Sequence, residues 1–327
     1  MKNFTYHRAK IMQEVVKRPA DAMVIAGGTN LVDRMKAFLD QPSQLVDISH
    51  LALKGIDRTR QGWKIGALVT NTELADHPDI RRAYPLLSRA ILSGASQQIR
   101  NVATVGGNLM QRTRCPYYYN PDTPCNKRQP GTGCPATTGS NRMHAILGAS
   151  HHCVAVHPSD MCVALAALGA IVHLESAKGK RQVIFNDFHR LPGEQPDRDT
   201  ILAAGEVITA ITIPRLPFAQ SGVYLKLRDR ASYSFALISV AAILEVQDQR
   251  IRNARLALGG VAHKPWRSLA VEQFLVGKPV EETIFHQAAD QMLQAANPLG
   301  ENGFKVEMSK RAIRRALMLS AKGGGIA

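Results

Sequence analysis

The sequence feature that most constrains the fold is a group of four cysteines in one segment rich in proline, glycine and asparagine. Cys115, Cys125, Cys134 and Cys153 are separated by nine, eight and eighteen residues, and the chain has only one other cysteine, Cys162. The segment has the composition of a loop, and four thiolates can close around an iron–sulfur cluster or a zinc ion. We expect Cys162, which lies in an apolar run, to be a core residue.

The spacing of these cysteines leaves three interpretations open. Zinc sites usually contain a C-x2–4-C pair, which the segment lacks. Two disulfides would need an oxidising compartment, and a chain of 327 residues is large enough not to depend on them. Ligands of a [4Fe–4S] cluster can come from widely spaced loop positions, so the spacing favours a cluster over zinc or disulfides.

Length and charge bound the function classes. The 327 residues are 45% hydrophobic, which suits two or three domains. The amino-terminal MKNFTYHRAK lacks the apolar core of a secretory signal, and the longest apolar run, 162–172, is too short to span a bilayer. The net charge of +15 is spread along the chain without a nucleic-acid-binding motif. We therefore expect no membrane span. We also expect the basic surface to bind an acidic protein partner in preference to nucleic acid. A zinc-containing nucleic-acid-binding protein is the alternative from a different class of function.

Apolar periodicity predicts both strands and helices. Residues 20–50 resemble a small βαβ unit, with strands at 23–26 and 45–48 and a helix from Leu31. One helical pattern covers 80–99, and the region 100–158 is interpreted as loop up to a helix that begins at Ser159 and Asp160. Further strands are predicted at 63–68, 170–175, 182–185, 206–213, 222–227, 239–246 and 250–258, and further helices from Asn71 and over 267–275, 281–295 and 304–320, before a disordered tail at 323–325.

Two glycine-centred segments are candidates for binding phosphate. In residues 25–31 (IAGGTNL), paired glycines between a strand and a helix let backbone N–H groups approach an anion. Residues 100–108 (RNVATVGGN) again combine small residues with hydroxyl and amide groups. Each segment alone fits an ordinary turn equally well, but two of them suit a pyrophosphate. Neither is GxGxxG, so a Rossmann dinucleotide site has no specific support.

Five motifs, in order, give the chain a family resemblance. They are AGGTNL, RNVATVGGN, HPSDM, GEVITAITIP and YLKLRDRASYSFALISVA. From about residue 4 to about residue 320 the chain resembles the FAD-binding subunit of molybdenum hydroxylases, a family that includes xanthine dehydrogenase, aldehyde oxidoreductases and carbon monoxide dehydrogenase. The RTRCPYYYN, PCNKR and PGTGC stretches are most similar to the flavin subunit of periplasmic aldehyde oxidoreductases, which holds a [4Fe–4S] cluster as well as FAD.

The resemblance implies an α+β fold in two domains. A two-part FAD-binding domain of the vanillyl-alcohol-oxidase/PCMH type would occupy residues 1–217, and a C-terminal domain with a small antiparallel sheet and helices would occupy 218–327. Within the first domain, the βαβ part would cover about 1–57 and the second part about 58–217. A cluster-binding insertion would lie at about 112–153.

The resemblance also implies which residues bind FAD. The residues expected around the pyrophosphate are Ala26, Gly27, Gly28, Thr29, Asn30, Leu31, Thr104, Gly107 and Asn108. Ala95 would lie near the adenine, Asp160 would accept a hydrogen bond from the flavin side chain, and Ile208 and Lys226 would approach the isoalloxazine. Lys226 also fits on chemical grounds, because a nearby cation stabilises the reduced, anionic flavin. No residue of this chain is expected to be catalytic.

The resemblance further implies that Cys115, Cys125, Cys134 and Cys153 bind one [4Fe–4S] cluster. Four thiolates fill the cluster's sites, so the nearby histidines are expected outside the ligand set; they are His144, His151, His152 and His157. Basic residues of the segment are expected to balance the negative charge of the cluster; they are Arg112, Arg114, Lys127 and Arg128.

The resulting hypothesis is an electron-transfer subunit of a heterotrimeric, molybdenum-dependent aldehyde oxidoreductase, inactive alone. A small subunit with two [2Fe–2S] clusters would pass electrons from a large molybdopterin-binding subunit to FAD in this chain and on to an external acceptor. The alternatives are the flavin subunit of a 4-hydroxybenzoyl-CoA-reductase-like or xanthine-dehydrogenase-like enzyme. A periplasmic location would require co-export with a signal-bearing partner, and a cytoplasmic location is the alternative.

Overall fold

The structure, a computed structural model, describes residues 1–324. Of the predicted disordered tail at 323–325, Gly325 lies outside these residues. The prediction is wrong for Gly324, whose carbonyl accepts a hydrogen bond from Arg89 Nη1 at 3.0 Å. Within 1–324, no helix is both long and apolar enough to cross a membrane.

The amino-terminal part is a parallel sheet in the order β1-β3-β2, formed by β1 (Thr5–Arg8), β2 (Met23–Ile25) and β3 (Gln44–Asp47). Helix α2 (Leu31–Lys36) connects β2 to β3, which confirms the predicted βαβ unit. Neither β1 nor helix α1 (Met12–Val16) was predicted. All four residues of β1 are exposed, so the strand has no alternation of apolar and polar residues.

The second part contains a five-stranded antiparallel sheet in the order β4-β5-β8-β6-β7. Its strands are β4 (Ile56–Thr59), β5 (Gly62–Gly66), β6 (Ile171–Ser176), β7 (Gly179–Ile184) and β8 (Val207–Pro214). Four of the five were predicted, with small shifts of their ends; β4, largely polar and exposed, was not. Phe185 was predicted to end β7 but begins a helix.

Short helices accompany this sheet, and some of them contact its strands. They are α3 (Asn71–Asp76), α4 (Pro78–Ala83), α5 (Pro85–Leu92), α6 (Gln97–Arg100), α7 (Val105–Leu109), α8 (Pro116–Tyr119), α9 (Asp160–Leu168) and α10 (Phe185–Phe188). The prediction of one helix over 80–99 is wrong, because Pro85 lacks an N–H group and starts a new helix, and Ala95 then turns the backbone with φ 52°. The region 100–158 is also not all loop, since it contains α7, α8 and a 3-10 turn at Pro135–Thr137.

Helix α9 lies at the centre of the core. As predicted, it begins at Ser159 and Asp160: the Ser159 hydroxyl accepts a hydrogen bond from the Cys162 amide at 3.0 Å. Every residue of α9 is buried, and the helix ends at Gly169, which has φ 66°. The helix therefore fixes Asp160, its first residue, at the edge of the core.

The C-terminal part is an antiparallel sheet in the order β12-β11-β10-β9, covered by three helices. The elements are β9 (Val223–Leu227), β10 (Ile238–Gln247), β11 (Arg250–Gly259), β12 (Trp266–Arg267), α11 (Leu269–Leu275), α12 (Glu282–Met292) and α13 (Phe304–Ala321). All three predicted strands and all three predicted helices are confirmed. Alternate residues of β10 face two cores: Ala241 and Ile243 pack with α9, whereas Ala242 and Leu244 pack in the C-terminal core. The domain boundary at 217/218 stays a prediction.

Candidate functional site

One cavity of about 950 Å³ brings together every residue predicted to bind FAD. Small-molecule pockets range from about 300 to 1,000 Å³, so this one suits a large ligand. The predicted residues on its wall are Ala26, Gly27, Gly28, Thr29, Asn30, Leu31, Ala95, Thr104, Gly107, Asn108, Asp160, Ile208 and Lys226. Their individual roles towards FAD stay predictions.

The first glycine loop is packed tightly against the second. A Cβ atom added to Gly27 would lie 2.0 Å from the carbonyl oxygen of Val102, and Gly28 adopts φ 70°, so both positions favour glycine. Within residues 1–324, the amide groups of 27–30 donate no hydrogen bond to another protein group. Since these residues line the cavity, their amides are donors available to an anionic ligand.

Most backbone amides of the second glycine loop donate hydrogen bonds to other groups of the protein. The amide of Gly106 donates to a backbone carbonyl at 2.8 Å, and that of Gly107 donates to Thr104 Oγ1 at 3.2 Å. The carboxamide oxygen of Asn108 accepts a hydrogen bond from the Ser159 hydroxyl. Among the amides of 104–108, that of Thr104 alone donates to no other protein group within residues 1–324. This loop therefore offers fewer free backbone donors than the first, together with small residues and side chains.

Asp160 and Lys226 form a buried ion pair on the cavity wall. Lys226 Nζ lies 2.8 Å from Asp160 Oδ2 and also donates to the carbonyl of Ser93 at 3.0 Å. The hydroxyl of Tyr224 donates to the other carboxylate oxygen at 2.6 Å. Burial raises the pKa of Asp160, and the Lys226 cation opposes this shift. The pair therefore places the Lys226 ammonium group at the cavity, with the Asp160 carboxylate as its counter-charge.

The sequence reasoning missed part of the cavity wall. Arg230, Tyr233 and Phe235 also line it, and Tyr233 is 57% exposed with φ 49°. The guanidinium carbon of Arg114 lies 5.5 Å from the ring centroid of Phe235. These residues lie within the RDRASYSF stretch that carries the resemblance, so this motif is the signal from which they could have been found.

The four segment cysteines are free thiols. The pKa of Cys115 is raised to about 12, mainly by burial and in part by the charges of Cys153 and Cys125. Burial likewise raises the pKa of Cys153 to about 11, with contributions from Cys134 and Cys125. The thiols therefore lie within electrostatic range of one another, and none of the five cysteines forms a disulfide within residues 1–324.

His144 is the histidine that contacts this group. Its Nε2 lies 3.1 Å from Cys115 Sγ, and the side chain is buried. Burial lowers the pKa of His144, and the cation of Lys305 lowers it further. By contrast, His151 is exposed and His152 pairs with Glu194 at 2.8 Å.

The basic residues of the segment do not all face the cysteines. Arg112 Nε donates to Asp199 Oδ2 at 2.7 Å, and Lys127 pairs with the other oxygen. Although burial raises it, the pKa of Asp199 is held well below its usual range by Lys127 and Arg112. Arg128 donates to the carbonyls of Tyr117 and Tyr118. Asp199 carries one negative charge against these two cations, and the charge of Lys127 also opposes the rise that burial causes in the pKa of Cys153. The expectation that the basic residues balance a cluster stays a prediction.

Cys162 lies apart from the four, buried in α9 beside His157 and His189, with one potential ligand atom of each residue within 4.8 Å of the others. His157 Nδ1 accepts a hydrogen bond from the Ser159 amide at 3.3 Å. Nε2 of the neutral His157 ring then carries the proton and has no lone pair for a metal. The group is therefore a packed core, and Cys162 is the core residue that was predicted.

Sequence models of two domains match the chain. The FAD binding domain in molybdopterin dehydrogenase matches residues 2–216, and the CO dehydrogenase flavoprotein C-terminal domain matches residues 223–319. The chain belongs to this family of molybdopterin dehydrogenase flavoproteins. The family resemblance and the α+β fold predicted from the sequence are thereby confirmed.

Individual relatives agree with this assignment. The chain is 47% identical to the aldehyde oxidoreductase FAD-binding subunit PaoB of Escherichia coli (strain K12), over 97% of this chain and 98% of the relative. It is 25% identical to the carbon monoxide dehydrogenase medium chain of Hydrogenophaga pseudoflava, over 96% of each chain. The solved structure of quinoline 2-oxidoreductase from Pseudomonas putida 86 matches with a TM-score of 0.76 at 26% identity, over 98% of each chain. The chain is thus an FAD-binding subunit of the molybdenum hydroxylase family, whose members are oxidoreductase subunits.

Proposed function

We propose that this chain is the FAD- and [4Fe–4S]-containing electron-transfer subunit of a heterotrimeric, molybdenum-dependent aldehyde oxidoreductase. One observation carries the proposal: four thiols that affect one another's pKa lie in the same chain as the cavity that brings together all thirteen predicted FAD-binding residues. The 47% identity to a relative named as an aldehyde oxidoreductase subunit supports aldehyde as the substrate class of the assembly.

The cavity has the groups that FAD needs. The free amides of residues 27–30 would hold the diphosphate, and Thr104 and Asn108 would complete that end. Lys226 would hold positive charge near the flavin ring, and Asp160 would accept a hydrogen bond from the flavin side chain while it positions Lys226. Bound FAD supplies the conversion between one-electron and two-electron transfer.

The cysteine group has the donor set of an iron–sulfur cluster. The four cysteines would supply four thiolates, which suits a [4Fe–4S] cluster. Burial raises the pKa of Cys115 and Cys153, so a bound cation is needed to keep both as thiolates at neutral pH. Zinc remains the competing metal for the same four thiolates, and metal analysis separates the two.

The remaining redox centres would come from partner chains. Cys115, Cys125, Cys134 and Cys153 suffice for one cluster, and Cys162 is buried away from them. We propose a small subunit with two [2Fe–2S] clusters as the electron donor and a large molybdopterin-binding subunit as the site of substrate oxidation. We also propose a periplasmic location, reached by co-export with a signal-bearing partner.

Metal and flavin content of the co-expressed complex tests the assignment. Anaerobically purified wild-type complex should contain one FAD per complex. It should also contain four iron atoms in addition to those of the small subunit, and no zinc. Single Cys→Ser changes at the four positions should each remove those four iron atoms, whereas Cys162→Ser, the matched control, should keep them. Zinc in place of iron, or iron loss only in Cys162→Ser, would contradict the ligand assignment.

Activity tests the subunit role separately. The isolated chain should not oxidise aldehydes, and the reconstituted complex should reduce an artificial acceptor when given an aldehyde. Aldehyde turnover by the isolated chain would contradict the role proposed here, whatever the metal content. Fractionation of cells into periplasm and cytoplasm, followed by detection of the complex in each fraction, checks the location.

A further inference from the structure

We infer that His144 donates an N–H···S hydrogen bond to Cys115 and thereby raises the reduction potential of the cluster that the four cysteines would hold. This inference rests on the proposed function, because it requires the cluster. The contact itself joins His144 Nε2 and Cys115 Sγ at 3.1 Å. The His144 side chain is only 3% exposed.

The chemistry of the contact fixes the direction of the hydrogen bond. A thiolate bound to iron has no proton and can only accept, so the ring nitrogen that faces it must carry the proton. In the neutral ring the other nitrogen, Nδ1, is then an acceptor, and it has no partner within residues 1–324. His144 and Cys115 line a cavity of about 220 Å³, which has room for water to donate to Nδ1.

The C-terminal part holds His144 in place. Lys305 Nζ and Asn302 Nδ2 donate to the carbonyl oxygen of His144 at 2.9 and 3.3 Å, and both side chains are fully buried. Lys305 also donates to the carbonyl of Gly260 at 2.6 Å. No carboxylate lies within ion-pair distance of Lys305 in the described part of the chain. The start of α13 thus fixes the backbone of His144 and places the buried Lys305 amine behind it. Burial lowers the pKa of this amine to about 7, and the negative charge of the proposed cluster would favour its protonated form.

Both groups favour the reduced cluster. Reduction adds one electron to the cluster without making or breaking a bond, and it leaves more negative charge on the thiolate sulfurs. An N–H donor and a nearby ammonium group stabilise the more negative state most, which raises the potential. His144 is therefore a positioning residue that acts on the cluster through Cys115, and Lys305 acts through His144 and its own charge.

Potentiometric titration of the purified complex tests this role. Dithionite supplies the electron, and the electron paramagnetic resonance signal of the reduced [4Fe–4S] cluster gives its midpoint potential. His144→Phe removes the donor and should lower the reduction equilibrium constant roughly tenfold, which corresponds to about 59 mV for one electron. His144→Gln keeps an N–H donor and should recover most of that shift. Lys305→Met should lower the potential in the same direction, and His151→Phe, an exposed histidine of the same segment, should leave it unchanged.

The outcomes distinguish this inference from the proposed function. If wild-type complex contains no [4Fe–4S] cluster in this chain, the proposed function fails and the inference with it. If the cluster is intact but His144→Phe has the wild-type potential, the inference is wrong and the cluster assignment stands. If His144→Phe loses its cluster, the other two variants decide the question. The tuning role is overturned if His144→Gln also loses the cluster. It is likewise overturned if Lys305→Met has the wild-type potential.

Discussion

Lys226 and Asp160 form an ion pair, 2.8 Å between Nζ and Oδ2, that joins strand β9 to the first turn of helix α9 across 66 residues of sequence. Both side chains are almost fully buried, at 4% and 8% exposure. Because Tyr224 donates to the second carboxylate oxygen, each oxygen of Asp160 has a donor. The pair therefore orients Lys226 towards the cavity before any ligand binds, which is the arrangement that a cation near a flavin requires.

Removal of one member of this pair should destabilise the protein strongly. Asp160→Asn leaves the Lys226 ammonium buried without its counter-charge, and we expect a loss of about 3 kcal/mol in the free energy of unfolding. The double change Asp160→Asn with Lys226→Met should lose much less than the sum of the two single changes. Urea unfolding of the four proteins measures the coupling. Additive losses would show that the pair contributes no interaction energy.

The close approach of the two glycine loops should make Gly27 indispensable for flavin binding. In Gly27→Ala, the new methyl group would meet the Val102 carbonyl at 2.0 Å, so the loops must separate and the amides of 27–30 lose their arrangement. We expect most of the FAD to be lost, measured as flavin released per mole of chain on denaturation. Gly300→Ala is the matched control, since no atom lies within 4 Å of its added Cβ. Full flavin occupancy in Gly27→Ala would contradict the role of this contact.

Local signals made the cavity predictable. Gly28 requires a positive φ, and Ser159 is an N-cap residue before an apolar run, so the strand, turn and helix around each were legible from the sequence. The order of the motifs then related segments that are distant in sequence. The resemblance that this order carries implied the thirteen residues that the fold brings to one cavity.

Long-range pairing is what the sequence could not reveal. The partner of Lys127 is Asp199, 72 residues later, and nothing in the local pattern connects the two. Strand β1 (Thr5–Arg8) is stabilised by parallel pairing with β3 and not by an apolar face of its own, so its periodicity gave no signal. For the same reason the hydrogen bond from the Gly106 amide to the carbonyl of Ala67 was not foreseen.

Buried neutral histidines should make stability fall as the pH decreases. Burial lowers the pKa of His189 to about 4, against 6.5 in the unfolded chain. Between those values the unfolded state binds a proton that the folded state does not, so the free energy of unfolding decreases as pH falls. His189→Gln keeps a donor for the Leu109 carbonyl but does not titrate. Its stability should depend on pH less steeply than that of the wild type, by about 1.4 kcal/mol per pH unit in this range.

Urea unfolding at several pH values between about 4 and 6.5 measures that slope. The exposed His151 provides the control, and His151→Gln should keep the wild-type slope. Equal slopes in the wild type and His189→Gln would show that His189 titrates normally in the folded chain.

The last prediction concerns the anchor of the cysteine segment. Asp199 forms ion pairs with both Arg112 and Lys127, which flank Cys115 and Cys125 in the sequence, so it connects the segment to the second part of the fold. Asp199→Asn leaves two buried cations without a carboxylate, and we expect a loss of about 3 kcal/mol in the free energy of unfolding. The segment should then be cleaved faster in limited proteolysis and retain less iron. Asp197→Asn, the same change at a carboxylate that forms no ion pair within residues 1–324, should behave as wild type. Wild-type iron content and proteolysis in Asp199→Asn would mean that the cysteines, and not this ion-pair group, hold the segment in place.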